Sequence, residues 1–116
     1  MATAGERLEE IRRELAAIGP VLAGSISGRT TRCQRPGCHC RSEPAVLHGP
    51  YPTWTWRPGG RPVTKTLGAE EADRLQRYAD AHRRLKQLVT ELERLSIDLI
   101  DEFEGTGLKE AVVGNR

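Results

Sequence analysis

The chain has 116 residues, of which 29% are charged and 37% hydrophobic, with two Trp, two Tyr and one Phe and a formal net charge of +2. That length fits one small domain with a modest core, and no apolar run approaches the ~20 residues that a membrane-spanning helix needs. The polar opening from Met1 to Glu10 lacks the pattern of a secretory signal, so a reducing cytoplasm is the expected compartment and clustered thiols read as metal ligands before disulfides. Charge is unevenly spread. Ser25 to Gly68 carries seven basic residues against Glu43 alone, a net +6, while the segment before it is −1 and the segment after it −3. A basic centre between acidic flanks predicts a directed polyanion-binding face.

In chain order, Thr3-x-x-Glu6 has the form of a capping box. Leu8, Ile11, Leu15 and Ile18 follow at helical spacing, and Gly19-Pro20 ends the run, which predicts a helix over 4–18. The opposite face (Glu6, Arg7, Glu9, Glu10, Arg13, Glu14) is expected to be solvated. Ser25 to Arg32, rich in β-branched and hydroxyl residues, reads as a strand. Thr53-Trp54-Thr55-Trp56 alternates, Arg57-Pro58-Gly59-Gly60 signals a turn, and Arg61 to Leu67 alternates again, a hairpin. Pro62 belongs at a strand start or edge. Trp54 and Trp56 are expected to pack the sheet against the following helix; stacking on exposed bases is their competing role.

Between the first strand and the hairpin lie all three cysteines. Zinc takes four donors, thiolate and imidazole among them, and Cys33-x4-Cys38-x-Cys40-x7-His48 offers such a set. His48 suits the fourth position better than His39, which sits between two ligands. The competing reading is three reduced, inert thiols. Around this loop, Arg29, Arg32, Arg35, Arg41, Arg57, Arg61 and Lys65 are the candidate nucleic-acid contacts, and those on strands and turn are expected to meet phosphates from one side.

From Ala69 onward Leu75, Tyr78, His82, Leu85, Val89, Leu92, Ser96, Leu99 and Phe103 recur at alternating spacings of three and four, and Leu88, Leu95 and Ile100 add a second stripe. This predicts a long coiled-coil-like helix over 69–104, more than the first helix can cover, so a homodimer or a larger complex is expected. Its first half is basic and its second half acidic. The tail, 105–116, has no sustained period and reads as flexible. The fold class is therefore α+β: one domain over 1–104 made of helix 4–18, a zinc-clasped three-stranded antiparallel sheet over 24–68, and the long helix.

The run Cys33-Gln34-Arg35-Pro36-Gly37-Cys38-His39-Cys40, followed by His48-Gly49-Pro50-Tyr51, a hairpin and a long charged helix, resembles a family of small bacterial proteins. That family is a domain of unknown function with the hallmark C-G-x-P-x-C-x-C and then H-G-P-Y. The likeness spans Gly24 to Leu99 and implies that Cys33, Cys38, Cys40 and His48 belong together. It also implies association with mobile genetic elements, alongside recombinases or transposases. Gln34 in place of the usual Gly and Pro52 within the first hairpin strand depart from the pattern. More distantly, the hairpin and helix are similar to the arm-type DNA-binding domains of tyrosine recombinases.

The expected function is a zinc-stabilised nucleic-acid-binding accessory protein, with double-stranded DNA as the polyanion, linked to mobile-element recombination or transposition. The competing expectation is a non-enzymatic interaction subunit that assembles through its helices. No Gly-rich phosphate loop, Ser/His/Asp arrangement or acid cluster in the basic centre points to an enzyme, and a zinc holding all four ligands is structural.

Overall fold

A computed structural model describes residues 2–31, 37–38 and 48–114, the side chains of Thr31 and His48 excepted. Its elements run α1 (Ala4–Ala17), β1 (Ser25–Thr31), β2 (His48–Trp56), a 3-10 turn (Pro58–Gly60), β3 (Val63–Thr66), α2 (Ala69–Glu104) and α3 (Leu108–Gly114). The N-terminal helix, three-stranded antiparallel sheet and long helix make the α+β class expected from the sequence. Two compact units divide this chain, Met1–Pro20 with Ala81–Arg116, and Val21–Asp80.

The helical unit pairs α1 with the later turns of α2. Thr3 caps α1 by accepting the Glu6 amide on its hydroxyl at 3.1 Å, which satisfies one of the orphan donors of the first turn. The helix ends at Ala17, one residue before the expected boundary. Ile18 has already turned extended (φ −70, ψ 127) ahead of Gly19-Pro20.

Two forked ion pairs bracket the packing. Arg7 donates through Nε and Nη2 to the two carboxylate oxygens of Glu91, the second bond at 2.7 Å. Arg84 donates in the same way to Glu14, both bonds at 2.8 Å. As the α1 number rises the α2 number falls, so the helices run antiparallel. Between the pairs lie Ile11 and Leu88, both 0% exposed. α1 thus covers the α2 face of Arg84, Leu88 and Glu91, with Leu88 from the second apolar stripe; of the first stripe Leu99 is also buried, and Ile100 of the second is exposed. Val89 and Phe103 of that first stripe remain exposed, Phe103 at 73%.

In the sheet unit the strand order is β1-β2-β3, antiparallel throughout. β2 begins at His48, five residues ahead of the expected Thr53, and it is the central strand despite Pro50 and Pro52. A proline lacks only the amide donor; the Pro52 carbonyl still accepts from the Leu67 amide at 2.8 Å. Gly24 opens β1 with φ +89, and a Cβ there would stand 2.2 Å from the Thr55 carbonyl oxygen. Only glycine combines that backbone with that approach. The Leu22 amide donates to the Tyr78 carbonyl at 3.0 Å, which ties the entry to β1 onto α2, and Leu67, Ala72 and Ala79 are buried.

Gly105 (φ +66) ends α2. Beyond it the unperiodic tail contains α3, whose start is held by Asp101, with Lys109 also 3.5 Å from Asp98. Asp101 accepts from the Thr106 hydroxyl at 2.5 Å and from the Leu108 and Lys109 amides, both at 2.9 Å. These donors, the Thr106 hydroxyl first, hold its carboxyl below the usual range.

Candidate nucleic-acid interface

Strand register decides which side chains share a face. Cross-strand partners project to the same side and neighbours along a strand to opposite sides. The pairs Ile26–Trp54–Lys65, Gly28–Pro52 and Trp56–Val63 therefore define one face of the sheet. On the other lie Ser25–Thr55–Thr64, Ser27–Thr53–Thr66 and Arg29–Tyr51. S-I-S, T-W-T and T-K-T stand in register, so one face is lined by two rows of three hydroxyls and ends in the Arg29–Tyr51 pair.

The expected cations are not all on one side, and this corrects the one-sided reading. Arg29 pairs across from Tyr51 and Lys65 across from Trp54; three residues separate those partners on β2, an odd number, so the two cations project to opposite faces. Arg57 and Arg61 flank the Pro58–Gly60 turn at the hairpin end, both exposed. Six residues of extended chain, ~20 Å, separate Tyr51 from Arg57. No carboxylate among the described residues pairs with Arg29, Arg57 or Arg61, whereas the Lys65 ammonium lies 4.0 Å from Glu71. Arg32, Arg35 and Arg41 lie outside the described residues.

The indoles also depart from expectation. Trp54 is half-buried and Trp56 is 39% exposed, while Thr53 on the opposite face is only 4% exposed. An indole N–H needs an acceptor when it leaves water, and Trp54 Nε1 finds one at the Ala23 carbonyl, 2.7 Å away. Trp56 sits at the end of β2 against Val63, itself exposed, with its ring centroid 5.9 Å from that of Trp54. The Thr53 hydroxyl donates to the Tyr51 carbonyl at 3.1 Å, so its burial leaves no unpaired polar group.

Tyr51, exposed and opposite Arg29, is the site residue that sequence reasoning passed over. The alternation that links Thr55 and Thr53 extends to Tyr51, but Pro52 obscures it.

Of the expected zinc ligands, Cys38 is half-buried beside Gly37 (φ +76), and the backbone of His48 opens β2 opposite Thr31. Cys33, Cys40 and the His48 side chain lie outside the described residues. Among the described residues no three His, Cys, Asp or Glu side chains gather as metal ligands, and no helix is long and apolar enough to cross a membrane.

A family model described as a domain of unknown function (DUF6788) matches residues 5–77. The match takes in α1, the three strands and the first turns of α2, and so starts earlier and stops earlier than the likeness read from the cysteine and H-G-P-Y motifs. No curated protein and no solved structure matches the chain.

Proposed function

The chain belongs to that family of unknown function, and we propose that it is a nucleic-acid-binding accessory protein whose sheet unit carries the contact surface. The observation that carries this reading is the set Arg29, Arg57 and Arg61: three exposed guanidinium groups in one small unit, none paired with a carboxylate among the described residues. A face meant only for solubility mixes its signs. Arg29 beside exposed Tyr51, with the exposed hydroxyls of Ser25, Ser27, Thr64 and Thr66 on the same face, offers phosphate donors and an aromatic surface together. Double-stranded DNA is the polyanion we assign. The role is non-enzymatic, in the cytoplasm, and linked to recombination or transposition of mobile elements.

A structural zinc on Cys33, Cys38, Cys40 and His48 belongs to this reading, supported by the chemistry of the donor set: three thiolates and an imidazole match the preference of the ion. Bound there, it would clasp the connection between β1 and β2. Metal analysis of the purified protein tests it. One zinc per chain, lost in Cys38→Ser and His48→Ala, is the expected result; a stably folded protein without metal sinks this part.

The functional test is fluorescence anisotropy with a duplex DNA and a matched RNA across a salt series. Sequence-independent phosphate binding falls with a log–log slope of about −0.9 per phosphate contacted. Replacing Arg29, Arg57 and Arg61 by Gln is expected to flatten that slope by about three. Absence of binding at low salt, or indifference to salt, overturns the proposal.

A second reading, an interaction subunit assembling through its helices, draws on a different observation. Ile100, Phe103, Leu108, Val112 and Val113 are all exposed towards the C-terminal end of the helical unit, and apolar side chains gathered at a surface mark protein–protein contacts. Light scattering on the full chain checks it, with a homodimer that Phe103→Ser converts to monomer as the expected outcome.

A further inference from the structure

A shallow groove runs along α2 within the helical unit, lined by Arg83, Lys86, Gln87, Thr90, Glu91 and Arg94. We infer that this groove is a second polyanion contact, one that takes the phosphodiester backbone of a nucleic acid along the helix. The inference rests on the nucleic-acid reading of the sheet unit but is carried by different residues, which lie beyond the 5–77 span matched by the family model.

Three observations carry it. Spacings of three, four and four place Arg83, Lys86, Thr90 and Arg94 in one row on an α-helix. Lys86 and Arg94 have no carboxylate partner among the described residues, in contrast to Arg84 one position along, which is forked onto Glu14. The neutral groups also face the same way chemically. The Gln87 side-chain oxygen accepts from Arg84 Nη1 at 3.4 Å, which leaves its NH2 group as the outward donor, and Thr90 adds a hydroxyl.

The single acid in the lining is already satisfied. Both oxygens of Glu91 accept from Arg7 on α1, which also donates through Nη1 to Glu10 at 3.0 Å. What the groove presents outward is the positive charge of Lys86 and Arg94 with neutral donors between them, a match for phosphate oxygens, which only accept. Arg94 carries the row into the acidic half of α2, where counting charge along the sequence masks it. Beyond Arg94 the helix surface turns acidic at Asp98, whose carboxylate meets Lys109 at 3.5 Å. The footprint is therefore finite. Eleven residues at 1.5 Å rise give ~16 Å, about five base pairs at 3.4 Å each.

The test uses the full chain and a 20-base-pair duplex in a salt series, comparing wild type, Lys86→Gln/Arg94→Gln, Arg29→Gln/Arg57→Gln, and Arg12→Gln as an exposed control outside both surfaces. Circular dichroism confirms that each variant is folded. The expected result is a slope flattened by about two in the Lys86→Gln/Arg94→Gln protein, with Arg12→Gln unchanged. Wild-type binding that persists with an unaltered slope in Lys86→Gln/Arg94→Gln overturns the groove and leaves the sheet surface standing. Loss confined to the groove variant, with the sheet variant unaffected, supports the groove and removes the sheet. A wild-type protein that binds no duplex at low salt overturns both.

Discussion

In the unit made by α1 and the later turns of α2, two of the arginines are structural groups: Arg7 and Arg84 each spend a planar fork on one glutamate and bracket the contact between Ile11 and Leu88. In the sheet unit the same residue type is left without such partners, and Arg29, Arg57 and Arg61 project from strand and turn with no carboxylate in reach among the described residues. The sheet unit is held instead by backbone ladders and a few buried residues, Thr53, Leu67, Ala72 and Ala79. What separates the two units is therefore the neighbourhood of their charges rather than the number of them. An arginine already neutralised by a glutamate is a weaker partner for phosphate than one without a carboxylate, a difference that composition alone does not show.

The largest effect that would sharpen this contrast is expected at Leu88. Leu88→Ala truncates one of the two fully buried side chains of the helical unit and should cost about 2–5 kcal/mol, read as a fall in the thermal midpoint. If the ion pairs alone held the helices, the loss would be much smaller, and the contrast would need redrawing. In the sheet unit the sensitive point is backbone. Gly24→Ala sets a Cβ against the Thr55 carbonyl at a positive φ and should cost about 1–3 kcal/mol, measured by urea unfolding.

Acid should act on the helical unit in a predictable direction. The forked guanidiniums of Arg84 and Arg7 hold the Glu14 and Glu91 carboxyls below the usual glutamate range. A carboxyl lowered in the folded state contributes stability above its unfolded value, about 4.3. That contribution is lost as pH falls below this value towards the folded one. Melting curves stepped downward from pH 6 should therefore show stability declining from about pH 4.3, and the decline should be shallower in Glu14→Gln/Glu91→Gln.

Smaller still is the expected effect of Asp101→Asn. It weakens the anchor of α3, so amide exchange should quicken over residues 108–114 while the global midpoint stays where it was. Least of all, Arg57→Gln/Arg61→Gln should change stability by no more than about 0.5 kcal/mol; a large loss would mean that these arginines are structural after all.

Much of this fold could be read from local signals. Thr3 at the cap and Gly19-Pro20 at the stop bounded α1 to within a residue, and the T-W-T-W and R-P-G-G runs announced the hairpin. Pro50 and Pro52 concealed the first half of β2, because a proline argues against a central strand; the argument fails when the carbonyl is the group the sheet uses. α3 was hidden for another reason, since its anchor is a side chain on the preceding helix and not a period of its own. The candidate site was legible as a list of cations and not as an arrangement. Alternation and register separate Arg29 from Lys65, and the partner of Arg7 stands 84 positions away. Cys33 and Cys40 stay where the sequence puts them, in the segment outside the described residues.

The two forked pairs have one more consequence, which concerns information rather than energy. Arg7 and Glu14 are seven apart on one helix, and Arg84 and Glu91 are seven apart on the other. Laid antiparallel, the four residues match opposite signs at both ends. Turned parallel at the same spacing, they would set arginine against arginine and glutamate against glutamate. Two charges per helix therefore work as a parity check on chain direction, written in the smallest alphabet that can detect a reversal, and any second segment offered to this face of α2 would be read by the same rule.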